Sequence, residues 1–141
     1  MVLDTSALLA ILLDEPERRR FNELIEADPV RLISAANVLE AAIVLESRFG
    51  EPAGRELDLF LHRAKVEVTA VDGDQVEIAR AAFRRFGKGR HLAGLNYGDC
   101  FAYALAVASG EPLLFKGSDF AQTGVAVADS VGDSVGDKRN Q

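Results

Sequence analysis

The sequence predicts an α/β fold: a parallel central sheet of about four to five strands, flanked by helices on both faces. Three observations carry this. Short apolar runs alternate with longer stretches of helical period. Turn-forming Gly, Pro and Asp residues punctuate the joins. Acidic residues stand where two of the apolar runs end, at Asp4 and just past Phe115. With 141 residues, 48% of them hydrophobic, the chain can bury one real core.

The elements follow in order. Val2-Leu3 is a strand ending at Asp4. Thr5-Ser6 lead into 7–13, a run apolar on most sides and so expected to be buried. Asp14-Glu15-Pro16 breaks it. Residues 17–27 form an amphipathic helix with Phe21, Leu24 and Ile25 inward. Asp28-Pro29 turns the chain into a second strand at 30–33. Ser34 is placed to cap a helix over 35–48, closed by Gly50. Pro52 opens a helix to about 64, and 66–71 is a third strand. A helix over 73–86 presents Val76, Ile78, Ala79, Ala82, Phe83 and Phe86 on or near its buried side. Residues 87–94 form a glycine-rich loop. A helix over 97–109, a strand over 113–115 and a short strand at 125–127 complete a domain over 1–128. Residues 129–141, with SVGD doubled, read as a flexible tail.

Charge and composition exclude several classes. No apolar run is long enough for a membrane span. The start Met-Val-Leu-Asp has no basic region before an apolar stretch, and the single cysteine, Cys100, cannot form an internal disulfide. A cytoplasmic protein is expected. The net charge of −6 argues against sequence-blind affinity for nucleic acid, though an acidic metal site is compatible with it.

In an open parallel sheet the carboxyl ends of the strands share one crevice. Four acids are placed to reach it: Asp4, Glu40, Asp99 and Asp119. Glu40 shares its helix face with Ala36, Asn37, Ile43 and Val44, an apolar setting for a glutamate. Each acid also has an ordinary explanation. Asp4 fits a helix cap, Asn96 and Asp99 a capping box, Glu40 a half-exposed helix position and Asp119 an Asx turn. Two carboxylates about 4 Å apart repel by roughly 4 kcal/mol at an effective dielectric near 20. Four in one pocket call for a counter-charge, and all-oxygen ligation favours Mg²⁺ or Mn²⁺. Cys100 points away from Asp99 and reads as a small buried residue; His62 and His91 read as surface residues. Lys116 and Arg90 are candidates to contact a phosphate, with a solvated face as the ordinary explanation for each.

Taken together, VLDTSAL with Asp4, NVLEAA with Glu40, LNYGDCFAYALA with Asp99 and LLFKGSDF with Asp119 resemble the PIN-domain ribonucleases, more narrowly the VapC toxins of type II toxin–antitoxin systems. The resemblance covers about residues 1–127. It implies a toxic Mg²⁺- or Mn²⁺-dependent endoribonuclease acting on structured RNA such as tRNA or rRNA. Asp4 and Asp99 would be the most direct metal ligands, with Glu40 and Asp119 ligating directly or through water. Ser6 would orient the first carboxylate, and Asn96 would have a positioning role. Many relatives have Gly-Asn-Asp where this chain has Gly117-Ser118-Asp119, which leaves residue 118 without an implied role. The family further implies a VapB-type antitoxin, a homodimer within a larger complex, and DNA contact only through the antitoxin. Two other readings stand beside it. A haloacid-dehalogenase-like phosphatase also begins with a strand ending in Asp, but would need a second aspartate at position 6, where this chain has serine. The other is a non-catalytic module on the same fold.

Overall fold

The computed structural model describes residues 1–128; the expected tail, 129–141, lies outside the described residues. The element order is β1 (Val2–Leu3), α1 (Thr5–Leu12), α2 (Arg18–Ala27), β2 (Leu32–Ser34), α3 (Ala35–Phe49), α4 (Glu51–Arg63), β3 (Glu67–Thr69), α5 (Gly73–Phe86), α6 (Tyr97–Ser109) and β4 (Leu113–Leu114). A short 3₁₀ turn, Phe120–Gln122, follows β4.

The four strands are parallel and run in the order β3-β2-β1-β4. Side chains alternate across the sheet, as the period of two requires. Leu3, Ile33 and Leu114 face a core built with α1, α2, α3 and α4. Val2 and Leu113 face a second core built with α5, α6 and Phe120. Both faces are therefore covered, and a parallel sheet so enclosed reads as continuous apolar runs.

The strands are shorter than the apolar runs, because register limits them. Val2 pairs with Leu32, so Val30 and Arg31 lie beyond the end of β1. β3 pairs with β2 over three residues at the sheet edge, and Val68 is exposed there. The expected strand at 125–127 is a single parallel bridge from Val127 to Leu113, with Leu113 N–H donating to Ala126 at 2.8 Å. On α5, Ala82 and Phe86 are buried as expected, but Val76 and Phe83 are exposed. Gly50 has a φ of 78°, which lets one residue end α3 and start α4 without the strain a side chain would add. Gly110 ends α6 in the left-handed conformation.

This strand order creates the crevice. From β1 the chain steps outward to β2 and β3, then returns to the other side of β1 to form β4. The reversal falls between β1 and β4, and ligands of open α/β sheets bind at that point, outside the carboxyl ends of the strands. Asp4 leaves β1 there, and the 116–119 segment leaves β4 there. Leu114, fully enclosed at 1% exposure, supports both the sheet and this rim. Leu114→Ala should cost about 2–5 kcal/mol of unfolding free energy in urea titrations. A loss below about 1 kcal/mol would show that the site collapses around the missing side chain.

Candidate active site

Asp4 is buried, with 3% of its surface exposed. It caps α1, but with one oxygen only. Oδ2 accepts the Ser6 N–H at 3.0 Å and the Ser6 hydroxyl at 2.6 Å. The Ser6 oxygen in turn accepts the Lys116 N–H at 2.9 Å, which stitches the exit of β4 to the start of α1. Oδ1 of Asp4 is buried and has no hydrogen-bond partner among the described residues. A cap explains half of this carboxylate and leaves the other half facing nothing that compensates it.

Asp99 repeats the pattern on α6. Its Oδ2 accepts the Asn96 N–H at 3.0 Å, while the Asn96 side chain accepts the Asp99 N–H at 2.9 Å. The capping box is therefore real, and it fixes the half-buried Asp99 side chain at the head of α6. Asn96 thereby holds one oxygen of the Asp99 carboxylate in place. Ala102 and Ala106, on the same side of the helix as Asp99, are fully buried, so small residues do let α6 sit close to the sheet.

Glu40 is brought to Asp99 by a glycine. A Cβ built on Gly98 would lie 2.1 Å from Glu40 Oε2 and 2.5 Å from its carboxyl carbon. The glutamate carboxylate thus rests against the first turn of α6, in space any other residue would fill. Asn37, one turn before Glu40 and wholly buried, ties the helices together. Its amide donates to the Thr5 hydroxyl and to the Gly98 carbonyl, each at 3.0 Å. Gly98 and Asn37 are the residues that sequence reasoning missed. The available signals were a glycine inside the first turn of a helix, and an asparagine in an otherwise apolar helical stretch.

Electrostatics joins the acids. Burial pushes the Asp4 carboxyl up to about 6 against the pull of the two Ser6 hydrogen bonds, and the charges of Asp99 and Glu40 push it the same way. Burial also raises Asp99, opposed by the Asn96 backbone bond and reinforced by Asp119 and Glu40. Asp119 is exposed at the 3₁₀ turn, where its side chain makes no capping bond, so the expected Asx turn does not account for it. Asp99 and Glu40 thus act on Asp4, and Glu40 and Asp119 on Asp99, yet among the described residues no three acidic, His or Cys side chains are already gathered into a metal-holding group. Repelling carboxylates keep apart until a cation offsets them. The unpaired Asp4 oxygen, its raised pKa and the all-oxygen donor set fit a hard divalent ion.

The other candidates fall elsewhere. Lys116 is not left open for phosphate: its ammonium is held by Glu15 and, at 3.4 Å, by Glu17. Arg90 lies with its guanidinium 5.6 Å from the centre of the Phe83 ring. Cys100 is buried, and burial with the neighbouring Asp99 charge raises its thiol pKa. His62 and His91 are at the surface.

Residues 1–126 match the PIN domain family. The chain is 64% identical over 126 residues to Ribonuclease VapC30 of Mycobacterium tuberculosis, covering 89% of this chain and 96% of that protein. Its fold is similar to the crystal structure of M. tuberculosis VapC20, described as a sarcin-ricin loop cleaving toxin, with a TM-score of 0.72. That match is 20% identical and covers 89% of this chain and 95% of the other. It is similar too to VapBC2 from Rickettsia felis, solved bound to a promoter DNA fragment, with a TM-score of 0.69 at 18% identity. The latter covers 89% of this chain and 94% of the other. At these identities the two structures speak for the fold alone.

The Asp4 shift has a consequence for stability. Folding moves this carboxyl from 3.8 to about 6, so the folded protein binds the proton more tightly than the unfolded chain between those values. Without metal, stability from this group therefore falls as pH rises through that window, by a total of about 3 kcal/mol. In chelator, Asp4→Asn should gain on the parent protein between about pH 4 and pH 6, and the difference should level off above. Equal urea midpoints for the two proteins at pH 4 and at pH 8 would contradict it.

Proposed function

The chain belongs to the PIN-domain family and, within it, to the VapC ribonucleases, and from that premise we propose that its four rim acids carry a divalent-cation-assisted cleavage of RNA. It is a toxic endoribonuclease of a toxin–antitoxin system. The observation that carries the site assignment is the buried Asp4 carboxylate, one oxygen held by Ser6 and the other unpartnered, within the fields of Asp99 and Glu40.

Asp4, Glu40, Asp99 and Asp119 would hold Mg²⁺ or Mn²⁺. Bound there, the cation supplies charge stabilisation at the phosphodiester and a more acidic water. The chain's own residues do the arranging. Ser6 fixes one Asp4 oxygen and leaves the other free to ligate. Asn96 does the same for Asp99. Gly98 opens the space in which the Glu40 carboxylate lies. The reaction is in-line attack of water on phosphorus with loss of the 3′-oxygen, leaving a 5′-phosphate and a 3′-hydroxyl.

The phosphatase reading gains nothing here. Position 6 is a serine whose N–H and O–H both hold the Asp4 carboxylate, and no second acid takes that place. A cognate VapB-type antitoxin is the natural inhibitor of an uncompensated acidic pocket, because an arginine from such a partner would supply the missing counter-charge. In this reading DNA contact belongs to that antitoxin. Leu39 and Ile43, 62% and 57% exposed on α3, give a homodimer an apolar surface. No described helix is long and apolar enough to cross a membrane, and the reading places the protein in the cytoplasm.

The test is direct. Asp99→Asn should abolish RNA cleavage and growth inhibition while circular dichroism and thermal unfolding stay close to the parent. EDTA should stop cleavage, and Mg²⁺ or Mn²⁺ should restore it. Full activity of a folded Asp99→Asn protein, or cleavage untouched by chelation, would remove the assignment. Gly98→Ala is the subtler probe. Its methyl must displace the Glu40 carboxylate, which is half-exposed and free to swing away, so the fold should survive while cleavage falls by about tenfold or more, the effect of an ångström-scale misplacement. Parent-like kcat/KM in Gly98→Ala would show that Glu40 is not needed where the structure puts it.

A further inference from the structure

Val76 and Phe83, expected to be buried, instead line an open groove of ≈ 610 Å³ between α5 and α6, together with Tyr97 and Phe101. Tyr97 is 80% exposed and meets Phe101 edge to face at 4.8 Å. Arg80 and Arg84 line the same groove. Arg90, from the glycine-rich loop, lies over the Phe83 ring. Arg80 has a surface ion pair with Glu77 at 3.1 Å, of the exposed kind that contributes little. Arg84 makes no ion pair or hydrogen bond among the described residues.

We propose that this α5/α6 groove is the substrate subsite that holds an unpaired RNA base next to the cleaved bond, Tyr97 stacking the base, Phe101 bracing the Tyr97 ring edge to face, and Arg84, Arg80 and Arg90 meeting the flanking phosphates. It rests on the endoribonuclease reading above. Three arginines border these aromatic walls in a chain whose net charge is −6, Arg80 with Glu77 beside it and Arg84 without an ion-pair partner among the described residues. Aromatic faces bordered by cations are the composition of single-strand platforms, where each stacked base contributes roughly 1–3 kcal/mol. A protein partner of neutral or basic surface would bury Arg84 without an anion, whereas a phosphate brings one. The position on α6 links the groove to the chemistry. Tyr97 and Asp99 share the first turn of that helix but are about 200° apart around it. A strand crossing the head of α6 therefore places a base on one side and the next phosphate on the other, at the acids.

The experiment uses the full chain carrying Asp4→Asn, so that RNA is bound and not cut. The probe is a fluorescein-labelled, mixed-sequence single-stranded dodecaribonucleotide, read by anisotropy beside a duplex of the same length. Tyr97→Ala should weaken single-strand binding by about 5- to 150-fold, and Tyr97→Phe should stay within about twofold of the parent. Arg84→Ala should lower affinity and reduce the salt slope by about 0.7, one phosphate of a single strand. Duplex binding should change little with Tyr97→Ala. Single-strand affinity of Tyr97→Ala within twofold of the parent overturns the proposal, as does a parent that binds no single strand. A changed oligomeric state in light scattering with RNA affinity unaltered also overturns it, and identifies the groove as a protein interface. In the unsubstituted background the two readings separate. A protein that cleaves no RNA defeats the functional reading itself. An active protein whose Tyr97→Ala variant keeps the parent kcat/KM defeats the subsite alone.

Discussion

The structure turns on one uncompensated oxygen. Asp4 sits at the end of β1, where sheet, α1 and α6 leave it almost no water, and only one of its two carboxylate oxygens is bonded. An unpaired buried anion is among the costliest things a small domain can keep. The surroundings limit that cost without removing it. Ser6 supplies two donors to one oxygen, and α1 presents the positive end of its dipole. Among the described residues nothing is supplied to the other oxygen, and the charges of Asp99 and Glu40 make matters worse. Stability alone would have replaced one of the three. Keeping them together points to a cation or a cationic partner as the missing component.

Holding three acids against their repulsion requires a stiff frame, and Asn37 provides much of it. It binds the hydroxyl at the start of α1 and a carbonyl in the first turn of α6 from within α3. Those three helices each carry one of the acids or its cap. Their N-terminal ends therefore stay in mutual register even though the side chains repel. The Lys116 N–H bond to the Ser6 hydroxyl brings the β4 exit, and so the Asp119 segment, into the same frame. Asp119 remains exposed, with no side-chain hydrogen bond among the described residues, which leaves it the most adjustable of the four.

Much of this was legible in the sequence. Alternating runs located every helix to within a few residues, because helix caps such as Ser34 and Asn96 are written in single residues. The acids were visible because each stood at an element boundary. Strand lengths were not legible: a strand ends where its neighbour ends, as Val30 does beyond Met1, and the neighbour is known only from the fold. Gly98 was visible as a glycine in the first turn of a helix, but its role was not legible, for the same reason. Its role is to be absent where a carboxylate from a helix some sixty residues earlier must lie. Val76 and Phe83 satisfied the helical period, but period shows only that residues share a face, not that another element covers all of it.

An acidic site and an anionic substrate set a requirement that the four carboxylates cannot meet themselves. In the proposed reading a cation would bring local attraction at the cleaved phosphate, but it would not hold the rest of the strand against a molecule of net charge −6. Affinity must come from another surface, near enough to share the substrate and far enough not to neutralise the acids. Arginines beside Asp4 or Asp99 would pair with them and occupy the oxygens the reaction needs. The head of α6 resolves the conflict by geometry. It carries Asp99 on one side and Tyr97 on the other, so in the proposed subsite one strand would meet the acids and the aromatic wall on opposite sides of a single helix.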